Sequence, residues 1–209
     1  MRKTELILIG AGGHSRSCID AIEREGKYKI AGLVGLGEEV GSSHFGYQVI
    51  ATDSDLSALA KQFQYALISV GQIKSPDLRI RLYELSLAAG FTLPTIIAPT
   101  AYVSSNATVG GGTIVMHGAI LNAGVVVGKN CIINTRALLE HDSQVFDHCH
   151  ISTGAIINGE TLIGAGSFIG SGSVIKEGVS VGVGSVVGMR QAVLHNLEDG
   201  CKYLGEGNS

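Results

Sequence analysis

From Ile97 onward, one residue in every six is a branched aliphatic. The register runs Ile97, Val103, Val109, Val115, Leu121, Val127 and continues without a break through Leu139, Ile151, Ile163 and Ile175 to Val193. An unbroken run of this length does not arise by chance from a residue class used about a quarter of the time. Four residues after each aliphatic stands mostly a small residue, as at Ala101, Thr113, Cys131, Ala155, Ser167 and Ser185, and glycine often follows the aliphatic directly, as at Gly110, Gly128, Gly164 and Gly182. A six-residue repeat with an inward aliphatic and small corner residues predicts a parallel β-helix in which each coil has three short strands. Thirty glycines and no tryptophan in 209 residues fit a tight turn repeated many times.

The residues before the repeat follow another pattern. "ELILIG" reads as a buried strand, "AGGHS" as a glycine turn, "RSCIDAIERE" as an amphipathic helix and "KIAGLVG" as a second strand, which together make a βαβ unit. "SDLSALAKQF" then reads as helix, "YALISVG" as strand, "SPDLRIRLYELSLAAG" as helix and "FTLPTII" as strand. The expected organisation is a small Rossmann-like α/β domain with a parallel sheet over residues 1–96, then a β-helix over residues 97–209, jointed near Pro99.

A formal charge of -3 with no basic run excludes a polyanionic partner such as nucleic acid. The N-terminal apolar run meets a glycine cluster before it is long enough for a signal or a membrane span. Four cysteines, Cys18, Cys131, Cys149 and Cys201, show no CxxC spacing, which points to free thiols in the cytoplasm.

Two stretches carry candidate chemistry. In "GAGGHS", Gly10, Gly12 and Gly13 let backbone amides at a helix N-terminus approach a phosphate, and His14 follows them. Ser15 occupies the place of the third glycine of a dinucleotide fingerprint, and Val34 and Gly35 stand where that fingerprint wants an acidic residue, so NAD is disfavoured and a nucleotide-linked sugar is the better fit. A tight turn with no ligand is the plain alternative. In "LLEHDSQV", Leu139 points inward, so Glu140, His141 and Asp142 lie on the prism surface near a corner, where Asp142 is placed to fix the tautomer that a general base requires.

The stretch "NTRALLEHDSQV" with "HCHISTGAIINGETLIG", together with "GAGGHS", resembles the sialic acid O-acetyltransferase family (NeuD-like), which includes bacterial N-acetyltransferases of nucleotide-linked amino sugars (PglD-like). The resemblance implies a left-handed β-helix, acetyl-CoA as co-substrate without a metal, a small sugar acceptor, and His141 as general base oriented by Asp142. It also implies that His150 contributes to the acetyl-CoA site, and that Asn134 and Gly159 line the acceptor and thioester pocket. Members often carry an acidic residue after the second strand, where this chain has Gly35.

Residues eighteen apart stack on successive coils, about 4.8 Å apart, so Gly159 is expected beside His141, its amide open to a developing oxyanion. Nine residues make half a coil, which separates His150 from the His141 of its own chain and predicts a homotrimer with intersubunit sites. Acetyl-CoA is expected between two β-helices, against the later coils that carry Ser167 and Ser185. Cys149 stands in the small-residue packing column, so direct attack without an acyl-enzyme is expected. Two rival classes stay open: a zinc enzyme resembling carbonic anhydrase, with ligands drawn from His117, His141, His148 and His150, and a non-catalytic scaffold. Neither the acceptor sugar nor N- versus O-acetylation is legible in the residues.

Overall fold

The computed structural model describes residues 3–205. They form two compact units, one running up to Gly71 and including Asp77–Pro99, the other made of Gln72–Pro76 and the chain from Thr100 onward.

In the first unit β1 (Thr4–Ile9) pairs in parallel with β2 (Tyr28–Val34) on one side, across α1 (Gly13–Glu25). A hairpin of β3 (Ser43–His44) and β4 (Tyr47–Ala51) follows, and β4 extends the sheet beside β2. After the single turn α2 (Leu56–Leu59), β5 (Tyr65–Ile68) pairs with the other edge of β1, and α3 (Asp77–Ala89) completes the layer, giving the strand order β3-β4-β2-β1-β5. Leu6, Ile7, Leu8 and Ile9 are all buried, as a central parallel strand covered on both faces demands. Helix α1 buries Ser15, Cys18, Ile19 and Ile22, one stripe at helical spacing.

Two sequence expectations need correction. The helix read in "SDLSALAKQF" is reduced to a 3-10 turn over Asp53–Asp55 and the four residues of α2, because Gln62 and Phe63 both donate to the Leu59 carbonyl and close the turn that delivers Tyr65 to the sheet. The strand read in "FTLPTII" survives as a bridge at Thr92 and a pair at Ile96–Ile97, with Pro94, which has no N–H for a ladder, between them. The β3–β4 hairpin was not foreseen.

In the second unit, two-residue strands recur every six residues and pair with strands eighteen residues away, as Ile120 with Leu138 and Val126 with Gln144. Three parallel sheets result, one for each face of a triangular prism. The second residue of each strand points inward, so Leu121, Leu139, Ile157 and Ile175 stack in one buried column. Each fully buried aliphatic contributes about 1.5–3 kcal/mol. At the turns from Gly112 to Arg190 the third corner residue takes a positive φ, whether it is Gly124, Gly154 and Gly178 or Asn130, Asp142 and His148. Among the described residues no helix is long and apolar enough to cross a membrane.

Cys18, Cys131 and Cys149 are buried, and Cys201 is half-buried. Burial pushes the Cys18 thiol up to about 12. A hydrogen bond with Cys131, then burial, raises Cys149. Alkylation of native protein followed by intact-mass measurement is therefore expected to add a single adduct, at Cys201, and further adducts only after denaturation. Rapid native modification of Cys149 would contradict the packing described.

Candidate active site

Glu140, His141 and Asp142 form the corner between the strands Leu138–Leu139 and Gln144–Val145. Two side-chain bonds fix that corner: Ser143 Oγ donates to the Glu140 carbonyl at 2.7 Å, and Asn122 Nδ2, one coil earlier, donates to Glu140 Oε2 at 2.8 Å. Asp142 holds the left-handed position, φ 57°, which a short polar side chain tolerates. Its Oδ2 lies 3.1 Å from His141 Nδ1. A carboxylate only accepts, so Nδ1 carries the proton and Nε2 presents its lone pair. Two glycines clear the space around this pair. A Cβ at Gly124, on the preceding coil, would collide with the Asp142 carboxylate, and a Cβ at Gly159, on the following coil, would come within 2.7 Å of His141 Cε1 and Nε2. Gly159 is buried, and its N–H meets no acceptor among the described residues. The side chains of His141 and Asp142 are 61% and 65% exposed, so their own chain supplies no wall on the outer side.

His150 belongs to the prism face opposite that corner. It is the outward residue of His150–Ile151 and is nonetheless buried, because Gln72–Pro76 lies over it. His150 Nδ1 meets the Gln72 carbonyl, which only accepts, so Nε2 takes the Asn134 Nδ2 donor at 3.0 Å. Phe168 sits edge-on to the ring, 5.2 Å between centroids. Gln72 Nε2 in turn donates to the carbonyls of His148, at 2.9 Å, and Gly166, at 3.3 Å. Beside this cluster opens a cavity of about 930 Å³ bordered by Asn134, His150, Phe168, Ser171, Met189 and Leu204, and among the described residues its charged lining is Lys74 and Lys202. Gln72 and Lys74 were missed from sequence, where they read as part of a loop before α3.

A second cavity, about 330 Å³, lies in the first unit at the carboxyl ends of β1, β2 and β4. Gly10 and Gly12 border it; Gly13 and His14 begin α1 outside the lining. Gly10 has φ +119°, and a Cβ there would press on Val70 at 2.5 Å, so this glycine is required by packing. Nothing lies within 4 Å of a Cβ built on Gly12 or Gly13, which leaves their amides approachable. Ser15 donates to the Gly12 carbonyl at 2.7 Å and tightens the turn. The buried Arg79 guanidinium binds the carbonyls of Ile68, at 2.7 Å, and Val70, at 2.9 Å, holding the neighbouring strand end in place.

Ser167 and Ser185, expected at the acetyl-CoA site, face into the prism and are absent from the lining of the larger cavity. Both are fully buried in the inward column, with Ser167 Oγ bonded to the Gly182 carbonyl and Ser185 Oγ to that of Glu198. Their coils border the larger cavity through Phe168, Gly170, Ser171, Val186 and Gly188 instead. Cys149 packs in the same column, as expected. The four histidines of the zinc alternative do not converge: His117 Nδ1 pairs with Thr100 Oγ1 at 2.8 Å, His148 Nδ1 with Asn130 Nδ2 at 2.9 Å, and no metal-ligating group of three His, Cys, Asp or Glu side chains occurs among the described residues.

The atoms nearest a Cβ at Gly159 belong to the His141 ring, so Gly159→Ala is expected to displace a flexible side chain rather than backbone. Turnover should fall by about a hundredfold, as for a catalytic group misplaced by about 1 Å. The melting temperature should hardly change. Wild-type turnover in a folded Gly159→Ala protein would remove the functional reason for the glycine.

Residues 5–84 match the PglD N-terminal domain family. The chain is similar to the acetyltransferase domain of PglB from Neisseria gonorrhoeae, solved in complex with acetyl coenzyme A, at 33% identity and TM-score 0.87, with 95% of each chain covered. It is 29% identical to PerB from Caulobacter crescentus, solved in complex with CoA and GDP-perosamine, at TM-score 0.87 over 93% of this chain and 91% of that one. WeeI from Acinetobacter baumannii, 18% identical at TM-score 0.69 over 91% and 95% of the chains, shares the fold. None of the curated proteins compared with the chain matches it. The architecture is thus an α/β domain followed by a left-handed parallel β-helix, and the chain belongs to the PglD-like family of hexapeptide-repeat acyltransferases.

Proposed function

We propose that this acyltransferase moves the acetyl group of acetyl-CoA to the amine of a nucleotide-linked amino sugar, with His141 as general base. The observation that carries the reading is the corner dyad, an exposed imidazole whose Nδ1 proton is held by Asp142 and whose Nε2 lies beside Gly159. The amine nitrogen attacks the thioester carbonyl and yields its proton to Nε2. The C–S bond then breaks, and the imidazolium returns the proton to the departing sulfur. The open Gly159 N–H beside the ring is the donor assigned to the oxyanion. Acetyl-CoA fits the larger cavity, where Lys74 and Lys202 suit its phosphates, small residues leave room, and His150 and Asn134 brace one another at the wall. The acceptor's nucleotide is assigned to the smaller cavity beside Gly10 and Gly12, at the place where open α/β sheets bind ligands. PerB, solved with CoA and GDP-perosamine, and the PglB domain, solved with acetyl coenzyme A, support the choice of these two classes of ligand.

His141 and the larger cavity lie on opposite sides of one prism, so a complete site takes two chains. The prism face next to the His141 corner carries an outward apolar column, Tyr102, Ile120, Leu138, Ile156, Val174 and Ala192, of which Tyr102 is 58% and Ile120 40% exposed. A second copy of this chain is the occupant that closes a ring and brings the dyad to a neighbour's cavity, as a homotrimer.

Thiol release from acetyl-CoA, followed with a panel of nucleotide-linked amino sugars and free sialic acid, tests the reading. Activity is expected with a nucleotide-linked amino sugar, and His141→Ala should lower it about 10²- to 10⁴-fold without loss of fold. Acceptance of sialic acid alone, or near-normal turnover in His141→Ala, would overturn it.

A further inference from the structure

The end of β2 carries a glycine whose side-chain space is already taken. The φ of Gly35 lies outside the left-handed region, so its backbone does not call for glycine. A Cβ there would nonetheless lie 2.7 Å from Glu39 Oε2, 3.0 Å from Val49 Cγ1 and 3.1 Å from Ala11 Cβ. The nearest occupant is a carboxylate. Glu39 ends the 3-10 turn Gly37–Glu39 and folds back toward β2, and its Oε2 accepts the Leu36 N–H at 2.8 Å. Oε1 accepts nothing from the described residues. Glu39 borders the 330 Å³ cavity together with Gly10, Gly12, Thr52, Asp53 and Arg81. The other carboxylate of that lining, Asp53, is paired with Arg81 at 2.8 Å, whereas Glu39 has no cation partner among the described residues.

We propose that Glu39 accepts the vicinal ribose hydroxyls of the substrate's nucleotide and so selects ribonucleotides over 2′-deoxyribonucleotides, an inference that rests on the nucleotide-linked acceptor proposed above. In parallel α/β sheets an acidic side chain at the end of the second strand is placed to hold a ribose hydroxyl. Here the main chain at that point has no side chain, and Glu39 brings its carboxylate to the same space from four residues further on. One oxygen is pinned to the backbone, which orients the other. Phosphates are repelled by this carboxylate and directed to the approachable amides at the start of α1. Apolar Leu36, Val70 and Leu78 flank the cavity and offer a slot for the base.

The test is calorimetric titration of the full chain with ADP, GDP, CDP and UDP and with their 2′-deoxy counterparts. At least one ribonucleoside diphosphate should bind, and its 2′-deoxy form about tenfold or more weakly, the range for a lost hydrogen bond to a charged group. Glu39→Ala should bring the ribonucleotide down to the level of the deoxy form and leave the latter nearly unchanged. Adding Gly35→Asp to Glu39→Ala removes the closest conflict, at 2.7 Å, leaves Val49 and Ala11 to give by a few tenths of an ångström, and supplies a carboxylate from the strand itself, so the preference for ribose should return. Thermal melting checks that both variants are folded. If no nucleoside diphosphate binds the native protein, the nucleotide-linked acceptor fails and this inference with it. If nucleotides bind without preference for ribose, or Glu39→Ala weakens both forms equally, the role of Glu39 is wrong while the nucleotide-linked acceptor stands.

Discussion

The inward aliphatic at every sixth residue is the contact on which the second unit depends, because each one stacks on the side chain eighteen residues away and so sets the height of every corner. With the coil spacing set, the freedom left to function lies in the turn residues and in the outward residue of each strand, such as His150. From Gly112 to Arg190 the third turn residue takes a positive φ, a requirement met by glycine at most of these turns and by Asp142 at the His141 corner. The dyad therefore follows from a backbone rule: the residue that the turn tolerates is also the residue that orients His141. The glycines above and below it use the same stacking to keep two neighbouring turns clear of the ring and the carboxylate.

How much was legible in the sequence follows from that register. The outward placement of His141 and the proximity of Gly159 come from counting sixes and eighteens, and the geometry agrees with both. The same count places Ser167 and Ser185 four residues after an aliphatic, in the column that buries Cys131 and Cys149, so their enclosure was legible too, and the expectation of ligand contact conflicted with the packing rule applied to Cys149. Small residues marked the inside of the prism, whereas the room for a ligand is outside it, at Gly170, Ser171 and Gly188.

What the sequence did not reveal depends on contacts between distant segments. Gln72 is an ordinary loop residue until the fold brings its carbonyl to His150, seventy-eight residues on. Nothing periodic announces that bond. The β3–β4 hairpin was hidden because its strands are short and its turn is Phe45–Gly46, with no Asn-Gly or Asp-Gly signal. Glu39 was invisible for a related reason: Gly35 reads as a missing acidic residue until the side chain four positions later is seen in its place.

With the proposed base on one corner and the proposed acetyl-CoA cavity on the opposite face, the proposal requires that neither chain works alone. Mixed oligomers measure this directly. Chains carrying His141→Ala retain the cavity, and chains carrying Ser171→Trp, which fills the cavity, retain the dyad. Each alone should be inactive. After subunit exchange in equal amounts, with mixed assemblies confirmed by mass, random pairing in a closed ring should restore roughly a quarter of wild-type activity. Mixed assemblies that remain inactive would show that base and cavity must belong to the same chain, contradicting the intersubunit site.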